Sequence, residues 1–209
     1  MTTTQITETA RTRLLDAAVR VIREKGYHAT SVEELCSAAG VTKGAFFHHF
    51  KTKEDLGVAA AEHWSATTGG LFAGAPYHAP DDPFDRVIGY LDFRAALIRG
   101  TMAEFTCLVG TMAQETFLTN PPIRDACFDS IAGHAETLEA DLAALIQSCG
   151  VAGEITAKSL ALHTQVVLQG AFILAKAKND PSIAGDAIEH LRRYFTLLFH
   201  AHKPKEDTP

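Results

Sequence analysis

Cysteine is scarce in this chain, with four in 209 residues. Cys36, Cys107, Cys127 and Cys149 lie far apart and form no CxxC pair. That spacing argues against a disulfide framework or a zinc site and suits a reducing cytoplasm. Residues 1–8 have neither a basic start nor an apolar core, so no signal peptide is expected. No apolar run approaches the roughly twenty residues that a membrane span needs. Enzyme signatures are missing too: there is no GxSxG, HExxH, GxxxxGK or GxGxxG. The ten histidines are scattered, and neither His48-His49 nor His200-x-His202 has a carboxylate placed to complete a metal site. The absences together predict a cytoplasmic protein that is no enzyme and has no membrane, metal or cofactor partner.

With 46% hydrophobic and 21% charged residues the composition is that of an ordinary globular chain. The net charge of −6 is unevenly divided. Residues 1–56 carry eight Lys/Arg against seven Asp/Glu, a net of +1; the remaining eleven against eighteen give −7. The basic groups flank residues 30–50, where phosphate contact would need them.

Residues 30–50 read as two short helices joined by a tight turn. Ser31 can cap the first helix and Glu34, three residues on, completes a capping box. Val32, Leu35, Cys36 and Ala39 then form its apolar stripe. Gly40 can end it in a left-handed residue. Val41 plugs the turn and Thr42 caps the second helix. Phe46 and Phe50 recur at the spacing of an inward face, which leaves Lys43, Gly44, Phe47 and His48 outward. A helix–turn–helix of this kind lays its second helix in the DNA major groove.

The ordered pattern Gly26-Tyr27, Ala29-Thr30-Ser31-Val32, Ala38-Ala39-Gly40-Val41-Thr42-Lys43-Gly44, and Phe46-Phe47-His48-His49-Phe50 followed by Lys51 to Leu56 resembles the TetR family of bacterial regulators. The resemblance covers about the first quarter of the chain. One departure stands out: Phe47 occupies a position where that family usually has tyrosine, so a phenolic hydroxyl is missing. The resemblance implies an all-α fold, with a helix–turn–helix DNA-binding domain over residues 1–56 and a helical ligand-binding and dimerisation domain over 57–209. It also implies DNA contacts from Thr30, Thr42, Lys43, Gly44, Phe47, His48, Thr52 and Lys53. Chemically, Lys43 suits a base edge or phosphate, Phe47 a thymine methyl, and Gly44 a close backbone approach to the sugar–phosphate rail.

Around this motif the periodicity predicts further helices. Glu8–Lys25 carries Leu14, Leu15, Ala18, Val21 and Ile22 on one face and closes at Gly26. Tyr27 either meets a phosphate or covers the small core. A helix from Glu54 to about Gly69, capped by Thr52, has Leu56, Ala59, Ala60, His63, Trp64 and Leu71 inward. After a breaker-rich loop, Asp82 and Pro83 start another helix. Spacing then predicts single helices over 101–117 and from 121 to Cys149. Residues 155–178 are apolar on more than one face, and the last helix, from Pro181, has Ile188, Leu191, Phe195, Leu198 and Phe199 on one side. Two such helices from each of two subunits would close a four-helix interface, so residues 155–200, Leu191 and Phe195 among them, are expected to hold a homodimer. The tail from His202 is expected to fray.

A ligand pocket in the second domain is implied by the resemblance, and spacing does not define it. Its candidate lining is Trp64, Phe93, Phe105, Cys107, Met112, Phe128, His134, His163 and Gln169. The function expected is a regulator released from a palindromic operator by an unidentified small molecule. An alternative is a thiol or electrophile sensor using Cys107 or Cys127; an all-helical enzyme or carrier is a further one.

Overall fold

The computed structural model describes residues 9–150 and 155–200, with side chains as far as Phe199. The expectations for Glu8 and for the tail beyond His200 fall outside these residues. Among the described residues eleven α-helices follow in order: α1 (Ala10–Lys25), α2 (Val32–Ala39), α3 (Lys43–His49), α4 (Lys53–Ala73), α5 (Pro83–Ala96), α6 (Met102–Phe105), α7 (Leu108–Thr116), α8 (Pro121–Glu136), α9 (Glu139–Ser148), α10 (Ala157–Lys178) and α11 (Ser182–His200). A 3-10 turn at Pro76–His78 lies between α4 and α5, and no strand occurs among the described residues. The fold is all-helical, as expected. It separates into two compact units, one of residues up to Thr67 with Cys107–Ser130, the other of Thr68–Thr106 with Ile131 onward.

In the first unit, side-chain capping sets the starts of α1 to α4. Thr9 Oγ1 accepts the Thr12 N–H and starts α1, whose Leu14, Leu15, Ala18, Val21 and Ile22 are buried. Ser31 and Glu34 cap α2 reciprocally, with Ser31 Oγ accepting from Glu34 N at 3.2 Å and Glu34 Oε2 accepting from Ser31 N at 3.1 Å. Gly40 ends α2 at φ +61°, the left-handed conformation in which a side chain is strained. Arg13 Nη1 donates to the carbonyls of Ala39 and Gly40, both at 3.3 Å, and so ties α1 to the turn. Thr42 Oγ1 accepts from Ala45 N at 3.1 Å and starts α3, whose Phe46 is buried, as is Phe50 just beyond it. Thr52 and Asp55 cap α4 by the same exchange, at 3.0 Å each way. Farther along α4 the inward residue is Phe72, and Leu71 is exposed, one position from the expected phase.

Two long helices expected from spacing are each broken. The predicted 101–117 helix stops after α6: the Thr106 hydroxyl donates to Met102 O at 2.7 Å and its backbone turns extended, ψ 161°. Cys107 Sγ then accepts from Gly110 N and caps α7. The predicted 121–149 helix is cut after α8, where the Thr137 hydroxyl donates to His134 O at 2.7 Å and Leu138 N donates to Ala135 O. That single tightened turn keeps Ala135, Leu138 and Leu142 on one buried side, so the apolar spacing runs through a break it cannot report.

The second unit is built on an aromatic and polar node. Tyr90, fully buried on α5, places its hydroxyl between three partners. Arg94 Nε donates to it at 2.9 Å and Gln165 Nε2 at 3.2 Å, and His134 Nε2 lies at 3.1 Å. Two donors fill the hydroxyl lone pairs, so its own proton goes to His134, whose Nε2 must be unprotonated. Phe72 meets His134 edge-on at 4.6 Å between centroids, and Phe93 at 5.2 Å. Gly89 lets Tyr77 lie against α5: a Cβ there would stand 2.9 Å from Tyr77 Cβ. Arg86 binds Asp141 through Nε at 2.9 Å and Nη2 at 2.6 Å, joining α5 to α9.

Helices α10 and α11 pack against each other with one face each. Leu191 and Phe195 are 2% and 1% exposed inside the chain itself, so they belong to its own core and the expectation that they face another subunit is corrected. By average hydropathy α10, with 22 residues at 1.3, is long and apolar enough to cross a membrane, although interrupted apolar runs hid this in the sequence; it passes by length and composition only, as a core helix also does.

The node gives a pH signature. Burial first, and Arg94 next, push the His134 pKa from 6.5 down to about 3. The folded state thus refuses a proton that the unfolded chain binds below pH 6.5. Stability is complete above that pH and falls as the pH drops toward 3, by up to about 1.4 kcal/mol per pH unit. Urea unfolding from pH 7.5 to 5 is expected to show this loss, and His134→Gln to remove about one proton from the slope.

Candidate nucleic-acid interface

One surface of the first unit is built by α3 and the start of α4. Capping by Thr42 and anchoring by Phe46 and Phe50 turn Thr42, Lys43, Gly44, Phe47 and His48 outward, and all five are exposed. Phe47 is 55% exposed, a large apolar ring held in water with no partner of its own but the edge of Phe46. Nothing in the chain requires glycine at position 44, because a Cβ there would meet only Thr42 Oγ1 at 3.7 Å. Lys43 forms an ion pair with Glu33 of α2, whose carboxyl is held below its usual range chiefly by the hydrogen bond from Lys43. This cation is therefore positioned, and it can trade an exposed carboxylate for a phosphate at little cost.

Thr52 is exposed at the head of α4, while Lys53 is half-buried with its Nζ 4.3 Å from the Tyr27 ring centroid. Burial lowers the Lys53 pKa and Glu115 opposes this. Tyr27 is covered, and burial with the neighbouring Glu54 raises its pKa to about 12, so it serves the small core. Thr30 departs from the expected set. It is 1% exposed and its hydroxyl donates to Gly26 O at 2.6 Å, which leaves it no surface for DNA.

A residue with no sequence signal shapes this unit. Glu115, on the last turn of α7, accepts from Tyr27 N at 3.2 Å through one carboxylate oxygen and from His28 N at 2.8 Å through the other. Its carbonyl oxygen meets His28 Nε2 at 3.0 Å. Gly26 is needed twice there, for its φ of +94° and because a Cβ would stand 2.3 Å from Glu115 Oε1. Asn120 Nδ2 adds a hydrogen bond of 2.6 Å to Glu54 Oε2, and Ile123 presses on Gly57.

The expected ligand residues are divided between the two units. Trp64, Cys107, Met112 and Phe128 lie in the first unit. Trp64 lies under the Arg23 guanidinium, Met112 is fully buried, and Phe128 is 60% exposed. Phe93, Phe105, His134, His163 and Gln169 lie in the second. Only Phe93 and His134 share the Tyr90 node; Phe105 packs on Phe172, the exposed His163 on Tyr194, and Gln169 is half-buried. As for the thiols, Cys127 is fully buried and burial, with Cys107 beside it, pushes its pKa up to about 12, far from a reactive thiolate. Cys107 Sγ is engaged in capping α7. Among the described residues no cluster of three or more potential metal ligands occurs.

Comparison with known proteins agrees with this geometry. Residues 14–60 match the model of bacterial regulatory proteins of the tetR family, and residues 83–190 match the C-terminal domain of LmrA/YxaF-like transcriptional regulators. The chain is 28% identical over 172 residues to the transcriptional regulator AcuR of Cereibacter sphaeroides, covering 80% of this chain and 77% of AcuR. It is 26% identical over 180 residues to the HTH-type transcriptional regulator LmrA of Bacillus subtilis, covering 82% and 89%. The regulatory protein TetR from Rhodobacter sphaeroides has a similar structure, with a TM-score of 0.74, 26% identity, and coverage of 91% and 98%.

Lys43→Ala is expected to weaken binding to a duplex selected from random sequence and to lower the salt slope by about one. Phe47→Ala is expected to weaken binding with the slope unchanged, since an apolar contact releases no counterion. Fluorescence anisotropy at several salt concentrations separates the two.

Proposed function

The chain belongs to the TetR family of bacterial transcriptional regulators, and from that premise we propose that it is a cytoplasmic homodimeric repressor released from a palindromic operator by a small molecule. The observation that carries the DNA-reading half is the outward row Thr42, Lys43, Gly44, Phe47 and His48, set by capped, anchored helices. With Thr52 and Lys53 it forms the proposed DNA contact set. Residues 1–56 would be the reader, and 57–209 the ligand-binding and dimerising part.

Dimerisation is supported by the second faces of α10 and α11. Leu162, Val166, Ile173 and Leu174 on α10, with Tyr194 and Leu197 on α11, are exposed although large and apolar; Val166 is 62% and Leu197 70% exposed. His163 of α10 and Tyr194 of α11 pack edge-on at 5.5 Å, so the two helices meet on their exposed sides as well. A surface of this kind, outside the chain's own core, is what an isologous contact covers. Two readers in one dimer then meet two half-sites about one DNA turn apart, near 34 Å.

Release by ligand is supported by α4, which carries Lys53 beside Tyr27 at one end and Phe72 against His134 at the other. A ligand that shifts α4 would move the reader of that subunit. Coupling of about 1–3 kcal/mol is the usual scale, and it must be reciprocal.

Val166→Glu and Leu197→Glu should each place a charge in the dimer face, yielding folded monomers by sedimentation and circular dichroism with weakened operator binding. An unchanged dimer would sink the proposed face. For release, anisotropy on operator DNA is the test: a ligand that raises the melting temperature should lower operator affinity, and operator should lower ligand affinity by the same factor.

A further inference from the structure

Arg94 projects from α5 into the Tyr90 node with its charge unanswered. Its guanidinium carbon lies 4.4 Å from the Phe72 ring centroid and 5.4 Å from that of Tyr90. Its Nε is spent on the Tyr90 hydroxyl. Among the described residues no carboxylate pairs with it and no group accepts a hydrogen bond from its Nη1 or Nη2. The acids nearby are taken: Asp92, two residues earlier on α5, pairs with Arg192, and Asp141, which faces Tyr77, pairs with Arg86. His134 is neutral, since its Nε2 accepts the Tyr90 proton, so it adds no charge. The node therefore holds a single positive charge on a half-buried group, gripped at one nitrogen and open at the other two.

A cation drawn partly out of water is costly unless an anion meets it. A guanidinium held at Nε and set over aromatic rings keeps its two terminal nitrogens as N–H donors, the pair that binds a carboxylate bidentately. The surroundings are apolar: the Phe93 ring centroid lies 5.2 Å from that of Phe72 and 6.0 Å from that of Tyr77. We propose that Arg94 anchors a ligand site in the second unit for a small monocarboxylate with an apolar or aromatic body. The proposal rests on the reading that this part of the chain binds a small molecule, and it names the class. One cation with a neutral histidine matches one negative charge; a dianionic phosphate would bring a second charge with nothing to meet it.

The test uses the full-length protein and calorimetric titration with benzoate, phenylacetate and hexanoate, beside their neutral amides and phenyl phosphate. At least one acid is expected to bind with a Kd of about 1 mM or tighter, the scale open to so small a molecule, and at least tenfold tighter than its amide. Arg94→Gln should abolish that preference while leaving amide binding unchanged. No acid binding, equal binding of acid and amide, tighter binding of phenyl phosphate, or a preference that survives Arg94→Gln would each overturn the site. The comparison in the unaltered protein decides even if the variant fails to fold. Operator release is measured separately. An acid that binds with the expected preference but leaves DNA bound keeps the site and rejects ligand release. A neutral compound that releases DNA while no acid binds does the reverse.

Discussion

Backbone N–H groups turned inward at a bend must find an acceptor, and in this protein two of them find the same carboxylate. The chain reverses after α1 at Gly26, and Tyr27 and His28 both donate to Glu115 on α7. Hydrogen bonds from backbone N–H groups to an ionised carboxylate are stronger than neutral ones. The conformation of the α1–α2 connection, and hence the setting of α2 beneath the recognition helix, is therefore held by a helix far away in sequence. The Asn120–Glu54 bond and the contact of Ile123 with Gly57 fasten the same region, which explains why residues 107–130 fold with the reader.

The second unit solves a similar problem with a hydroxyl. Tyr90 is fully buried, and a buried phenol without partners would be unfavourable. Its three partners come from α5, α8 and α10, and satisfying it requires one proton arrangement, with His134 neutral. Burial and the adjacent Arg94 enforce that state. A network so fully committed holds its members in one geometry, and it leaves Arg94 as the group with capacity to spare.

Charge and exposed apolar side chains are unevenly distributed along the chain. The reader is close to neutral overall, yet its outward row shows Lys43 and His48 beside a bare Phe47 ring, with Glu33 holding Lys43 in place. The acidic excess lies beyond residue 56. The largest exposed apolar side chains on α10 and α11 are elsewhere in the chain, on faces opposite those packed inside it.

The recognition motif was legible in the residues because its rules are local. Ser31 with Glu34, Thr42 with the Ala45 N–H, Gly40 at positive φ, and Phe46 with Phe50 all act within four positions, where side-chain type and spacing decide the outcome. Apolar periodicity likewise located the buried face of α1. It could not show the breaks at Thr106 and Thr137, because an extended residue at the first and a tightened backbone turn at the second interrupt the helical ladder without disturbing the apolar phase around it. Nor could it tell which side of α11 turns inward: Leu191 and Leu197 are equally apolar, and only packing against α10 buries one and bares the other. The carboxylate of Glu115 and the hydroxyl of Tyr90 lay further out of reach. Their partners stand 88 and 75 residues away, and what joins them is the satisfaction of buried polar groups, which exists only once the helices have met.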